Sequence, residues 1–316
     1  MVETSIGCLM SPSRELPTDV TSTHDPALAG TTRSSYAEIL LRVLAVSGYG
    51  LWIWLGMGLT LGMNQIGNGA MQMPLVLGTA LVCAGLALGG LRLSANTAWY
   101  GGPPAERRWP KRAAWMALAC FLPVLLLLVL GDGHGHVLSM RMAGVALLLC
   151  SLVSLVHSAY RFRSQLSPDL QRMSSSLPVS RLVTAWYGGG LWLWLCVMMQ
   201  GGPGPEHGAY PWILLLLALA LLLGLLEGMR WQSLAPAQGS DHDLYVQHLS
   251  LPRIAAALLI YVLPCAALLF TDRFGGGLLA SALAVPSCLL GKMIEQHVYE
   301  TALARGLPAG GMNPFP

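Results

Sequence analysis

Long apolar runs, broken by short polar loops, dominate the chain. Eight of them, at 43–63, 73–91, 113–131, 142–160, 182–201, 210–226, 254–271 and 274–291, are nearly uncharged. Their lengths are close to the roughly 18 or more residues that carry a helix across a hydrocarbon core of about 30 Å. They predict an all-α integral membrane protein with eight transmembrane helices. The first 36 residues are polar, rich in Ser, Thr and Pro, and lack the charged-then-apolar order of a signal peptide. They are read as a disordered cytoplasmic tail, 1–36, and 301–316 as a second cytoplasmic tail.

Composition agrees with a membrane solvent. The chain is 54% hydrophobic and 10% charged, against about 25% charged in a soluble domain. This excludes a soluble enzyme, a disordered chain and a nucleic-acid binder. None of the seven cysteines forms a CxxC pair, and all but Cys8 fall in apolar stretches, where they read as small buried hydrophobes. Charge is informative through its placement. Of the 18 Lys and Arg, all but Arg141 and Arg273 fall on one side of the eight runs. By the positive-inside rule that side is cytoplasmic, and both termini lie there.

The two halves echo each other. Leu51-Trp-Ile-Trp-Leu55 returns as Leu191-Trp-Leu-Trp-Leu195, Arg92 as Arg230, Arg112 as Arg253, Leu122-Pro123 as Leu263-Pro264 and His157 as His297, at offsets of 138 to 141 residues. Matches in order at nearly constant offset predict a tandem repeat: 37–165 and 166–300, each a four-helix transmembrane bundle. An even number of spans per half relates the halves by a pseudo-two-fold along the membrane normal. Pro123 and Pro264 are expected to kink their helices.

The middle of every run lacks Asp, Glu, Lys, Arg and His, which disfavours an ion-coupled transporter. Such residues gather instead at the cytoplasmic ends: Glu38, Arg42, Arg92, His157, Arg161, Glu227, Arg230, Lys292, Glu295 and His297. They read either as interfacial anchors that snorkel or as a polar pocket at the rim able to exchange protons. His157 and His297 could ligate a haem, and His134 with His136 a metal. Both pairs are read as incidental, and no tightly bound metal is expected in this chain. The tryptophans within the runs, Trp52, Trp54, Trp192 and Trp194, read as helix packing.

Over residues 38–305 the order of features resembles the membrane anchor subunit of dimethyl-sulfoxide-reductase-type molybdoenzymes, including quinone-linked sulfite dehydrogenase anchors. The resemblance is carried by Ser47-Gly-Tyr-Gly-Leu51, Ala84-Gly-Leu86, Phe121-Leu-Pro-Val-Leu125, Leu226-Glu-Gly-Met-Arg-Trp231, Arg253-Ile-Ala255 leading to Val262-Leu-Pro264, and Leu290-Gly-Lys-Met-Ile-Glu295. The chain departs from the family after the second run, where a His-Leu-Gly-x-Pro-x-Arg-Ala-Trp segment is replaced by one ending Ala98-Trp99, without the His. It departs again in the eighth, where Gln296-His297 stands for Arg-Trp.

The resemblance implies an anchor in a bacterial inner (cytoplasmic) membrane that exchanges electrons between quinone or quinol (menaquinone or ubiquinone) and an iron–sulfur subunit, itself joined to a molybdopterin catalytic subunit. No catalytic residue of its own is expected. Candidates for the quinone and proton-transfer site are Glu295, His297, His157, Glu227 and Arg92. Arg107, Arg108, Lys111, Arg112, Arg161 and Arg163 are the expected partner dock, also suited to anionic lipid headgroups. The alternatives are a permease for a neutral solute and a scaffold that has lost the quinone site.

Overall fold

The computed structural model of the chain describes residues 36–62, 71–95, 109–131, 137–164, 177–201, 210–234, 251–274 and 277–306, which are helices and their end turns with no strand among them. We number the helices α1 (Tyr36–Thr60), α2 (Gln72–Ala95), α3 (Trp109–Gly131), α4 (Val137–Ser164), α5 (Leu177–Met199), α6 (Tyr210–Leu234), α7 (residues 251–274, with a π-helical turn at Leu258–Val262) and α8 (Gly277–Gly306). Six contain stretches long and apolar enough to cross a membrane: Tyr36–Thr60, Val137–Tyr160, Pro178–Met199, Tyr210–Gln232, Leu251–Phe270 and Gly277–Thr301. The protein is a multi-pass membrane protein. α2 and α3 carry shorter apolar stretches, Gln72–Ala87 and Leu118–Leu130.

Each predicted run overlaps one helix, yet several helices continue beyond their runs. α6 reaches Leu234 and α8 reaches Gly306. A run read from hydropathy stops at the first charge, whereas helical hydrogen bonding does not, and a charge that finds a partner can be packed inside. The end charges on α6 and α8 consequently sit within the packed helices.

α1 lies at the centre. It packs against α2, α4, α5 and α8, while α5 packs against α1, α4, α6 and α8. Residues 51–56 of α1 are buried on every face of the helix, the mark of a helix enclosed by others. One apolar cluster is drawn from α1 to α4, with Trp52, Leu55, Leu75, Val124, Leu127 and Leu147. A second comes from α5 to α8, with Tyr187, Leu191, Leu216, Leu223, Ile260 and Val285, and takes in Trp54 of α1.

Lipid offers no hydrophobic gain for bringing helices together, so close van der Waals packing must hold them. The α1–α5 crossing depends on glycine for this. A Cβ on Gly50 would lie 1.7 Å from the Ala185 carbonyl oxygen, and one on Gly189 would lie 2.2 Å from the Gly50 backbone. Beside this crossing Trp54 Nε1 donates to the Trp186 carbonyl at 2.8 Å. Trp52 is fully buried and meets Tyr49 and Phe121 edge-on. Trp52 and Trp54 are therefore packing residues, as the sequence predicts for them.

Candidate functional site

The site forms where α6, α7 and α8 meet at the end of the bundle that carries the basic residues. On α8 helical spacing sets Lys292, Glu295, Gln296 and Tyr299 on one face, and on α6 it does the same for Glu227, Arg230 and Trp231. Lys292 Nζ donates to Glu227 Oε1 and, at 3.0 Å, to Glu295 Oε2. The Tyr261 hydroxyl of α7 donates to Glu227 Oε2. The three charged side chains are 6% (Lys292), 8% (Glu227) and 12% (Glu295) exposed. A buried and a partly buried carboxylate thus share one ammonium. Lys292 departs from the snorkelling anchor that its position in the sequence allows: it turns inward between two acids.

The backbone of α7 explains how Tyr261 reaches the cluster. In the π turn the Leu263 N–H bonds back to the Leu258 carbonyl, which leaves the Leu259 carbonyl without its usual helical donor. The next residue, Pro264, has no N–H, so the Ile260 carbonyl is also left over. Both are recovered from neighbouring helices. Ser287 Oγ of α8 donates to the Leu259 carbonyl at 2.6 Å, and the Tyr187 hydroxyl of α5 donates to the Ile260 carbonyl at 3.0 Å. The turn is pinned on both sides, and Tyr261 lies within it. Single π turns of this kind recur at functional sites. Pro264 was expected to kink its helix; the distortion is the turn that precedes it.

Two cavities flank the cluster. The larger, of about 370 Å³, is a cleft between α6 and α7 bounded by Gly224, Gly228, Trp231, Arg253, Ile254, Ala257 and Tyr261, with Glu227 and Glu295 in its wall. Its volume falls in the range of about 300–1,000 Å³ usual for small-molecule sites. Ile254, Ala257 and Leu258 are exposed on the outer face of α7, so the cleft lies beside the lipid-facing surface. Arg253 stacks over Trp231 at 4.3 Å from the ring centroid, Arg230 stacks over Tyr299 at 3.4 Å, and the two rings meet edge-on. The smaller cavity, of about 40 Å³, lies on the inner side and is polar, lined by Arg42, Ser180, Arg181, Glu227, Arg230, Lys292, Glu295, Gln296 and Glu300. Glu227 and Glu295 border both cavities. At the rim Arg42 bridges Glu38 at 3.2 Å and Glu300 at 2.9 Å, tying α1 to α8.

Of the candidates read from sequence, the structure brings Glu227 and Glu295 together. His297 instead stacks on Tyr36 at 4.4 Å between ring centroids, with the Tyr36 hydroxyl 3.2 Å from its Nε2. His157 is half-buried on α4. Arg92, Lys111, Arg112, Arg161 and Arg163 fall in helices, but their side chains lie outside the described residues, as do Arg107, Arg108, His134 and His136 altogether. Sequence reasoning missed Tyr261 and the bridging role of Lys292. The signal for Tyr261 was Pro264 three residues on, since a proline in a helix frees a carbonyl and disturbs the turn before it. Among the described residues no group of three or more His, Cys, Asp or Glu is arranged to hold a metal ion. Comparison of the chain with protein-family models, with curated proteins and with solved structures finds no match.

Proposed function

We propose that this chain is the quinone-reactive membrane anchor of a molybdopterin oxidoreductase complex, exchanging electrons between membrane quinone or quinol and an iron–sulfur partner subunit. The observation that carries the reading is the carboxylate–lysine–carboxylate cluster with Tyr261, set in the wall of a cleft beside the lipid-facing surface of α7. A quinone is apolar, planar and lipid-soluble, and its redox chemistry consumes or releases protons. It needs an apolar entrance from the bilayer, flat contact surfaces and titratable oxygens. Ile254 and Ala257, Trp231, and Glu227 with Glu295 supply these in turn. In this reading the chain is a protein of eight spans in two four-helix bundles in a bacterial inner membrane, with cytoplasmic termini. Apolar clusters drawn mainly from α1–α4 and mainly from α5–α8, together with the placement of the basic residues, support it.

Purification from native membranes in mild detergent, with metal analysis and partner identification, tests the assignment. Stoichiometric molybdenum and iron carried by two soluble subunits, with turnover of a short-chain quinol, is the expected result. A bare chain, from cells verified to express an accompanying oxidoreductase, overturns it and returns the chain to the permease reading. Partners without quinol turnover would make it a scaffold.

A further inference from the structure

The two carboxylates of the cluster are chemically alike and differently held. Glu227 has both oxygens engaged, Oε1 by Lys292 and Oε2 by Tyr261. Glu295 has Oε2 on Lys292, while its Oε1 takes no hydrogen bond from any described residue. Glu295 also borders both the cleft and the polar cavity. The polar cavity is built for water: Gln296 Oε1 lines it, buried and without a hydrogen bond from any described residue. A volume of about 40 Å³ exceeds the roughly 10–15 Å³ that one water requires.

We propose that Glu295 carries protons between the lateral cleft and the polar cavity, and that Lys292, Glu227 and Tyr261 are the fixed frame that positions it. The inference rests on the quinone-reactive reading for the identity of the proton donor. In the direction of quinol oxidation, the hydroxyl O–H bond of the quinol breaks and an O–H bond forms on Glu295 Oε1. The electrons leave to the iron–sulfur acceptor of the partner subunit. Glu295 then releases the proton to water in the polar cavity, from which it departs past the Arg42–Glu300 pair at the rim. A second round completes the quinone. In reduction the same steps run backwards.

The other charged groups packed near Glu295 come from four helices. Arg42 of α1 holds Glu38 and Glu300. Arg181 of α5 donates to the Ser158 carbonyl. Arg230 of α6 lies over Tyr299, and Arg253 of α7 lies over Trp231 while also interacting electrostatically with Glu295. At the cluster itself two carboxylates face the Lys292 ammonium, with Arg253 adding positive charge beside Glu295.

Two measurements decide the matter. In infrared spectra of the isolated full chain in lipid nanodiscs, lowering the pH should produce a protonated carboxyl band that shifts in D₂O. Glu295→Gln should abolish that band and Glu227→Gln should retain it. In the complex purified with its partners, Glu295→Gln should reduce quinol turnover about 100-fold, the scale of general acid–base catalysis. Formate should restore turnover to Glu295→Ala by replacing the missing carboxylate. A band that disappears with Glu227→Gln instead, no band, wild-type turnover in Glu295→Gln, or no rescue by formate would each overturn the inference. Should the chain carry no partners and turn over no quinol, the functional reading fails, and the infrared result still decides whether Glu295 is the exchangeable acid.

Discussion

Lys292 is the residue on which the cluster depends. Removing one member of a buried ion pair typically costs about 3–5 kcal/mol, because the remaining charge loses its counterion in a poorly solvating interior. Lys292→Met should therefore lower the thermal unfolding midpoint in detergent strongly, and adding Glu227→Gln should recover part of the loss. Recovery identifies uncompensated charge as the cause; an equal loss in both variants would assign it to packing. The acids were legible in the sequence, because Glu227 and Glu295 sit at the ends of apolar runs where carboxylates contribute little to orientation. Their lysine was equally visible there, but its direction was not. A cation just past the end of an apolar run can snorkel or turn inward, and only the neighbouring helix decides. Here α6 presents Glu227 to it.

At the scale of the element, the π turn of α7 and the α1–α5 crossing carry the shape of the site. Tyr187→Phe removes the donor to the Ile260 carbonyl. A buried acceptor left unsatisfied costs about 1–3 kcal/mol. Ser287→Ala acts in the same way on Leu259. Each should accelerate deuterium exchange in 258–264 while leaving α2 unchanged, and uniform acceleration throughout would argue against a local role. Gly189→Leu should force α1 from α5, since even a Cβ has no room there; overpacking of this kind costs about 1–3 kcal/mol. A lowered melting midpoint with loss of monodisperse protein is the expected readout. The proline in α7 was readable from sequence, while the π turn was not. It exists because Ser287 and Tyr187, remote in sequence, are positioned to catch the carbonyls it frees.

For the whole molecule, the apolar pattern located each of the eight described helices, because length and hydropathy are local properties. It ended several of them early and left their neighbours undetermined, which are properties of the packed assembly. Orientation belongs at this scale too. Reporter fusions at both termini should report the cytoplasm, as the distribution of 16 of the 18 Lys and Arg predicts. A terminus reported outside would reverse the side on which the proposed partner docks. The sequence echo between halves bears on the site as well. At the offsets of 140 and 141 residues that relate His157 to His297 and Pro123 to Pro264, the counterparts of Lys292, Glu295 and Tyr261 are Leu152, Leu155 and Cys120. The charged cluster belongs to one half alone.

The central place of α1 has a consequence for biosynthesis. Of the described helices, α1 leaves the ribosome first, yet two of its neighbours are α5 and α8, and α8 emerges last. Its glycine face must wait in the bilayer, unfilled, through most of translation. A chain arrested after α4 would leave Gly50 without its partner, and such a nascent chain is the form that a membrane protease or insertion chaperone would meet.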